Sequence, residues 1–265
     1  MRRQWLLFLT ALSFYTRVSV PGLVHDAKPE HLSDSIRYFP LLGWFTGAVS
    51  AAIFFLFELY FGQTIALIFS MLASVLITAG LHEDGFADVC DGFGGGWSKE
   101  KILAIMKDSR VGAFGVIGLV FILLLKFFAL NQLVSTVEVF ENRLIILLLF
   151  IIAHSLSRFN ASIMVFTHTY VREDSSKSAA AAVGSSRINL YLGALFGILP
   201  FIAFSVITQH YQWLFLLVPI VFVQLYLSRF FNKWIGGYTG DCLGAIQQVS
   251  EVVIYLSAIV LWKSI

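Results

Sequence analysis

Seven apolar stretches divide the chain, at about 40–61, 64–81, 112–131, 144–167, 188–208, 212–229 and 243–262. Each approaches the roughly 20 residues that cross a hydrocarbon layer. Backbone groups in lipid must be satisfied within the segment, so the stretches predict helices. The strict alternation of a membrane barrel is missing. A shorter run, 4–16, follows Arg2 and Arg3 and is closed by Arg17. It is too short to span, and no A-x-A cleavage pattern follows it, so it predicts an interfacial helix. The pattern is that of an all-α integral membrane protein with about seven transmembrane helices, an N-terminal interfacial helix and short cytoplasmic helices. One polytopic domain over residues 1–265 is expected.

Composition agrees. The chain is 58% hydrophobic and 13% charged, where a soluble domain carries about 25% charged residues. A net charge of +2 and basic residues scattered through loops give no stripe for nucleic acid. Cys90 and Cys242 show no CxxC spacing and no Cys/His cluster, which argues for two reduced thiols in small helix positions and against zinc.

Charge fixes the predicted orientation. With the N-terminus cytoplasmic, the inside segments hold Arg2, Arg3, Arg17, Lys28, Arg37, Lys99, Lys101, Lys107, Arg110, Arg172, Lys177, Arg187, Arg229 and Lys233. Only Arg143 and Lys263 fall outside, while Lys126 and Arg158 lie within spans. That 14-to-2 split is a strong positive-inside signal.

The chemistry concentrates in "HEDGFADVCDGFGGGW", residues 82–97. If the second span runs on as one helix to Gly92, it has about 29 residues and reaches about 43 Å. Asp84, Asp88 and Asp91 then stand at i, i+4 and i+7, within about 60° of one another. Glu83 lies about 100° away. Like charges so placed repel, and hard divalent ions seek carboxylate oxygens. Mg²⁺ is typically held by a few carboxylates and substrate phosphates. Asp84 and Asp91 are about 10 Å apart along the axis, too far to share an ion, so Asp88 is central. "FGGGW" predicts the helix end. Ser98 is the expected N-cap of a short surface helix. Lys107 and Arg110, before Gly112, suit an anionic group such as phosphate. Gly112, Gly115 and Gly118 allow close helix packing. Asp241 in "GGYTGDCLGA" opens the last span on the same predicted side, as a helix cap or as a ligand from a second helix. Glu251, one turn after Gln247, and Arg158 sit at hydrocarbon depth, where ionisable residues are usually functional. Arg158 can snorkel, pair with an acid or meet phosphate.

Six segments, "ALSFYTRVSVP", "RYFPLLGWFTG", "LHEDGFADVCDGF", "IMKDSRVGAFG", "SRFNA" and "GGYTGDCLGA", occur in the order seen in the bacterial cobalamin synthase family, the adenosylcobinamide-GDP ribazoletransferases. The chain resembles that family from about Ala11 to Glu251. The resemblance implies a membrane transferase joining adenosylcobinamide-GDP to α-ribazole or its 5′-phosphate, with release of GMP and with Mg²⁺ as cofactor. Loop 168–187 carries no matching motif. A weaker likeness, to the CDP-alcohol phosphotransferases, rests on Asp88-x-x-Asp91-Gly92. It lacks that family's Ala-Arg, where Phe93-Gly94-Gly95-Gly96 stands.

The expected reaction is phosphoryl transfer at the cytoplasmic face of the cell (inner) membrane. A ribose hydroxyl attacks the cobinamide-linked phosphorus. Asp84, Asp88 and Asp91, with Asp241 and Glu83, are the candidate metal ligands. Asp88, Asp91 and Asp241 are the catalytic candidates, Asp241 as a ligand or base. Lys107, Arg110, Arg37, Arg17 and Arg158 are the candidate substrate-binding residues. The expected partners are these substrates and the lipid bilayer, with no nucleic acid; a homo-oligomer is left open. The rivals are a CDP-alcohol-type enzyme with another membrane substrate and a cation transporter, which would place its acids near the bilayer midplane.

Overall fold

The computed structural model describes residues 2–20, 29–137, 142–172 and 186–264. Lys28, Lys177 and most of loop 168–187 lie outside the described residues. The helices follow the apolar pattern: α1 (Arg2–Tyr15), α2 (Pro29–Ser35), α3 (Phe39–Ile77), α4 (Leu81–Gly95), α5 (Lys99–Ile105), α6 (Ala113–Val137), α7 (Arg143–Thr167), α8 (Arg187–Thr208), α9 (Leu217–Ile235) and α10 (Gly240–Trp262). Short 3₁₀ turns, Ile36–Tyr38 and Tyr211–Leu216, lead into α3 and α9. Among the described residues there is no strand, only an isolated bridge between Tyr170 and Tyr238.

Six helices among the described residues are long and apolar enough to cross a membrane. The one containing α3 accounts for two of the seven expected stretches. At Gly62 the backbone takes φ 75° and ψ 169°, a conformation open to glycine. Across it the Ser70 hydroxyl donates to the Ser50 carbonyl at 2.8 Å, and the Phe57 and Phe69 rings stack at 4.2 Å. Twenty residues of straight helix would separate Ser50 from Ser70 by about 30 Å. The arms 39–61 and 63–77 therefore double back on one another.

The second span does not run on to Gly92. It stops at Ile77, and Ala79 and Gly80 adopt left-handed φ values of 56° and 69°. The Gly80 N–H donates to the Val75 carbonyl at 2.9 Å, closing the helix end in the manner of a glycine stop. The acidic motif thus sits on its own helix, α4. The signal for the break, Gly80 directly before Leu81, was present in the sequence.

Helix α1 has 14 residues, about 21 Å of rise, and it is not among the candidate spans. Leu7, Ala11 and Tyr15 face inward while Trp5 is exposed. Arg3 ties the helix to Asp34 at 2.9 Å. Spans α7 and α10 are the most enclosed. Exposed Phe121, Phe128 and Phe222 lie on α6 and α9, outward faces suited to lipid. The expected N-cap forms, with Ser98 accepting from the Lys101 N–H at 3.3 Å, and α4 ends at Gly95.

Several contacts gather the helix ends that carry polar motifs. The Arg17 N–H reaches the Ile77 carbonyl at 2.7 Å. Asp91 on α4 meets the start of α6, and Arg172, just beyond α7, meets Asp241 at the start of α10. One end of the bundle therefore holds the acidic motif, "KDSRVGA" and "TGDCLGA" together.

Candidate active site

Helix α4 and the first turn of α10 cross closely. A Cβ on Gly85 would come within 2.9 Å of the Asp241 Cα, so the glycine in "EDGF" is what lets Asp241 approach the aspartate face. Along that face burial deepens: Asp84 is exposed, Asp88 half-buried and Asp91 buried. Burial first, then the Asp241 and Asp84 carboxylates, push the Asp88 carboxyl up to about 7. Asp84, Asp88 and Asp241 thus share one undercompensated negative region.

The main cation against it is Arg172. Its guanidinium donates to Asp241 Oδ2 at 2.6 Å and to the Met106 carbonyl at 3.0 Å. Thr239 also donates to that Oδ2, at 3.2 Å. Asp241 Oδ1 accepts no hydrogen bond among the described residues. Arg172 is held in place by the extended segment around it: the Val171 N–H donates to the Tyr238 carbonyl and the Tyr238 N–H to the Thr169 carbonyl, both at 3.0 Å. Sequence reading counted Arg172 only as a loop charge. Its available signal was its position, a basic side chain leaving a span on the side of the aspartates.

Asp91 is placed differently from its neighbours. Its carboxylate accepts from the Gly112 N–H at 2.6 Å and the Gly115 N–H at 2.8 Å. It caps α6 from another helix, where the unpaired N–H groups and the dipole favour an anion. A Cβ on Gly112 or Gly115 would collide with this carboxylate, which gives those glycines their role.

Glu83 leaves the cluster. It accepts from Gln248 Nε2 at 2.9 Å and joins a buried polar network. Gln248 Oε1 accepts from Lys126 at 2.9 Å. Lys126 pairs with Glu251 at 3.3 Å, and Gln247 donates to Glu251 at 2.8 Å. Arg158, also expected at phosphate, belongs to this layer: it is buried, donates to the His154 carbonyl at 2.8 Å and lies 5.8 Å over the Phe39 ring. Glu251 is thus embedded by its pairing with Lys126, and Arg158 by His154 and the Phe39 ring.

The remaining cations divide. Arg37 is buried against Asp34 at 3.4 Å and against Gln4, so it ties α1 to the start of α3 and makes no contact with the acidic cluster. Arg17 and Lys107 have exposed side chains. Arg110 is exposed and clasps Asp108, at 2.6 Å for the shortest contact, and this holds the Asp108 carboxyl down at about 2.

A cavity of about 120 Å³ opens beside Asp84 and Asp241. Its walls include Tyr15, Phe39, Tyr170, Tyr238 and His82. Burial, with the Arg158 guanidinium next, holds His82 well below the usual imidazole range. Among the described residues, no group of three or more His, Cys, Asp or Glu stands at metal-holding spacing. The acids lie at a bundle end, unlike the midplane site of a transporter.

The cobalamin-5-phosphate synthase family matches residues 7–260. A Shewanella piezotolerans protein named adenosylcobinamide-GDP ribazoletransferase is 42% identical over 99% of this chain and 98% of its own length. Proteins of the same name from Leptospira interrogans and Shewanella amazonensis are 41% and 40% identical. They align over 100% and 99% of this chain, and over 99% and 98% of their own lengths. No solved structure matches the chain. The six ordered motifs and the match along nearly the whole length agree: this chain belongs to the cobalamin-5-phosphate synthase family.

Proposed function

We propose that the protein is a Mg²⁺-dependent adenosylcobinamide-GDP ribazoletransferase acting at the cytoplasmic face of the cell membrane. It would join adenosylcobinamide-GDP to α-ribazole or its 5′-phosphate and release GMP. The observation that carries the assignment of the site is the convergence of Asp84, Asp88 and Asp241 beside Arg172.

The donor set fits a hard divalent cation, being all carboxylate oxygen. The lack of a preformed three-ligand group is compatible with Mg²⁺, which usually takes one or two carboxylates and fills its shell with water and substrate phosphates. When bound, the ion would neutralise the diphosphate and the charge developing on the departing phosphate. Asp84 and Asp88 are the ligands we favour. Asp241, with Oδ2 engaged by Arg172 and Thr239, keeps Oδ1 for the ribose hydroxyl or for the metal. In the first role it accepts the hydroxyl proton as the new O–P bond forms and the bond to GMP breaks. Arg172 holds that carboxylate with its terminal nitrogen, and its charge would attract the substrate diphosphate. Asp91 then acts as a positioning residue, fixing α4 to α6.

The direct test supplies purified, detergent-solubilised protein with adenosylcobinamide-GDP, α-ribazole and Mg²⁺. Cobalamin and GMP should appear in equal amounts, and EDTA should stop the reaction until Mg²⁺ is restored. Folded protein that makes no product would refute the assignment. Turnover unaffected by EDTA would remove the metal from it.

The orientation has its own test. Single cysteines at 94–100, in a chain with Cys90 and Cys242 replaced, should react with impermeant thiol reagents only from the cytoplasmic side. Labelling from outside intact cells would invert the topology.

A further inference from the structure

Two side chains that line the cavity beside Asp84 and Asp241, His82 and Tyr238, carry buried polar atoms that lack a hydrogen-bond partner among the described residues. His82 is 4% exposed and Tyr238 1% exposed. His82 Nε2 and Tyr238 Oη are buried and have no hydrogen-bond partner among the described residues. Both side chains line the cavity. A buried polar group left unpaired costs about 1–3 kcal/mol. Two of them on one cavity wall point to a ligand that supplies partners.

The rest of the wall describes that ligand. Tyr15 and Phe39 meet at 4.4 Å, Phe39 and His82 stack at 5.7 Å, and Tyr170 meets Tyr238 edge-on at 5.5 Å. Apolar Ile36, Leu81 and Leu243 complete it. A planar aromatic body suits such faces. The cavity of about 120 Å³ holds about four waters at roughly 30 Å³ each, the scale of a small planar ring system and too little for a corrin macrocycle.

We infer that this cavity binds the base of the nucleoside co-substrate, a benzimidazole riboside, with His82 Nε2 and Tyr238 Oη as its hydrogen-bonding partners. The inference rests on the ribazoletransferase reading and adds the subsite to it. Such a base carries one free ring nitrogen, an acceptor, and the ribose adds hydroxyls, so two protein groups come close to satisfying it. Guanine carries several donors and acceptors along its edges and would leave most of them unpaired against this wall. With the base here, the ribose lies on the side of Asp84 and Asp241, where its hydroxyl has to react.

The test compares full-length wild type with Tyr238→Phe, His82→Leu and His82→Gln. Each is assayed for initial rates against α-ribazole and against adenosylcobinamide-GDP, with thermal unfolding in parallel. Tyr238→Phe removes one oxygen and no packing. It and His82→Leu should each raise KM for α-ribazole about fivefold to tenfold, the scale of one lost hydrogen bond. KM for adenosylcobinamide-GDP and the unfolding temperature should stay close to wild type. His82→Gln, which keeps an N–H donor, should recover much of the loss. Unchanged KM for α-ribazole in both Tyr238→Phe and His82→Leu overturns the subsite. So does a rise confined to adenosylcobinamide-GDP, which would seat guanine in the cavity. Wild type that turns over neither substrate defeats the functional reading itself, a result separate from either of these.

Discussion

Asp88→Asn is expected to lower turnover by about a thousandfold or more, with the protein still inserted and folded. Asp88 is the middle carboxylate of the α4 face. Its carboxyl is pushed up to about 7 by burial and by Asp241 and Asp84, the mark of a region that gains from a bound cation. Asparagine keeps the shape and one oxygen but removes the charge. A metal ion contributes several kcal/mol to a phosphoryl-transfer transition state, and about 4 kcal/mol is a factor of about a thousand. Initial rates across a Mg²⁺ titration check this: added Mg²⁺ should rescue the variant poorly. Glu83→Gln is the control one residue before Asp84. Its side chain meets Gln248, away from the cluster, so it should lose stability while its Mg²⁺ dependence stays that of wild type. If the two variants showed the same Mg²⁺ profile, Glu83 would belong to the metal site and α4 would be wrongly oriented.

The contrast between those two residues shows what the sequence could convey. Helical periodicity put Asp84, Asp88 and Asp91 on one face and Glu83 off it, and the structure keeps that arrangement within α4. Apolar runs gave the spans, and Ser98 and the triple glycine gave local starts and stops. Partners far along the chain were not legible. Nothing local tells that the Asp91 carboxylate reaches the N–H groups of Gly112 and Gly115, or that Arg172 reaches Asp241. Arg37 and Arg158, expected at phosphate, meet groups three and four residues back, Asp34 and His154. A basic residue near a membrane end is compatible with phosphate, with an acid and with a backbone carbonyl, and only tertiary packing chooses. The continuous second helix failed for a local reason, because Gly80 outweighed the apolar run around it.

Lys126→Met should destabilise the protein by about 3–5 kcal/mol, the usual effect of stripping one partner from a buried ion pair. Lys126 and Glu251 are each 3% exposed in their side chains and 3.3 Å apart. The layer they belong to also contains Arg158 and Glu83, so its formal charges balance, two cations against two anions. Lys126→Met leaves one cation facing two anions in a place where water cannot screen them. Adding Glu251→Gln restores balance, one against one, and keeps an oxygen to accept from Gln247. The double variant should therefore regain at least half of the lost stability, as coupling within one network requires. Thermal or denaturant unfolding in detergent measures the cycle. Strictly additive losses would mean that the two groups are stabilised by separate surroundings. The functional consequence follows from Gln248, which bonds both Lys126 and Glu83: the buried charges anchor α4 from beneath. Below its unfolding temperature the single variant should show raised KM values, because the network sets where α4 holds Asp84, Asp88 and His82.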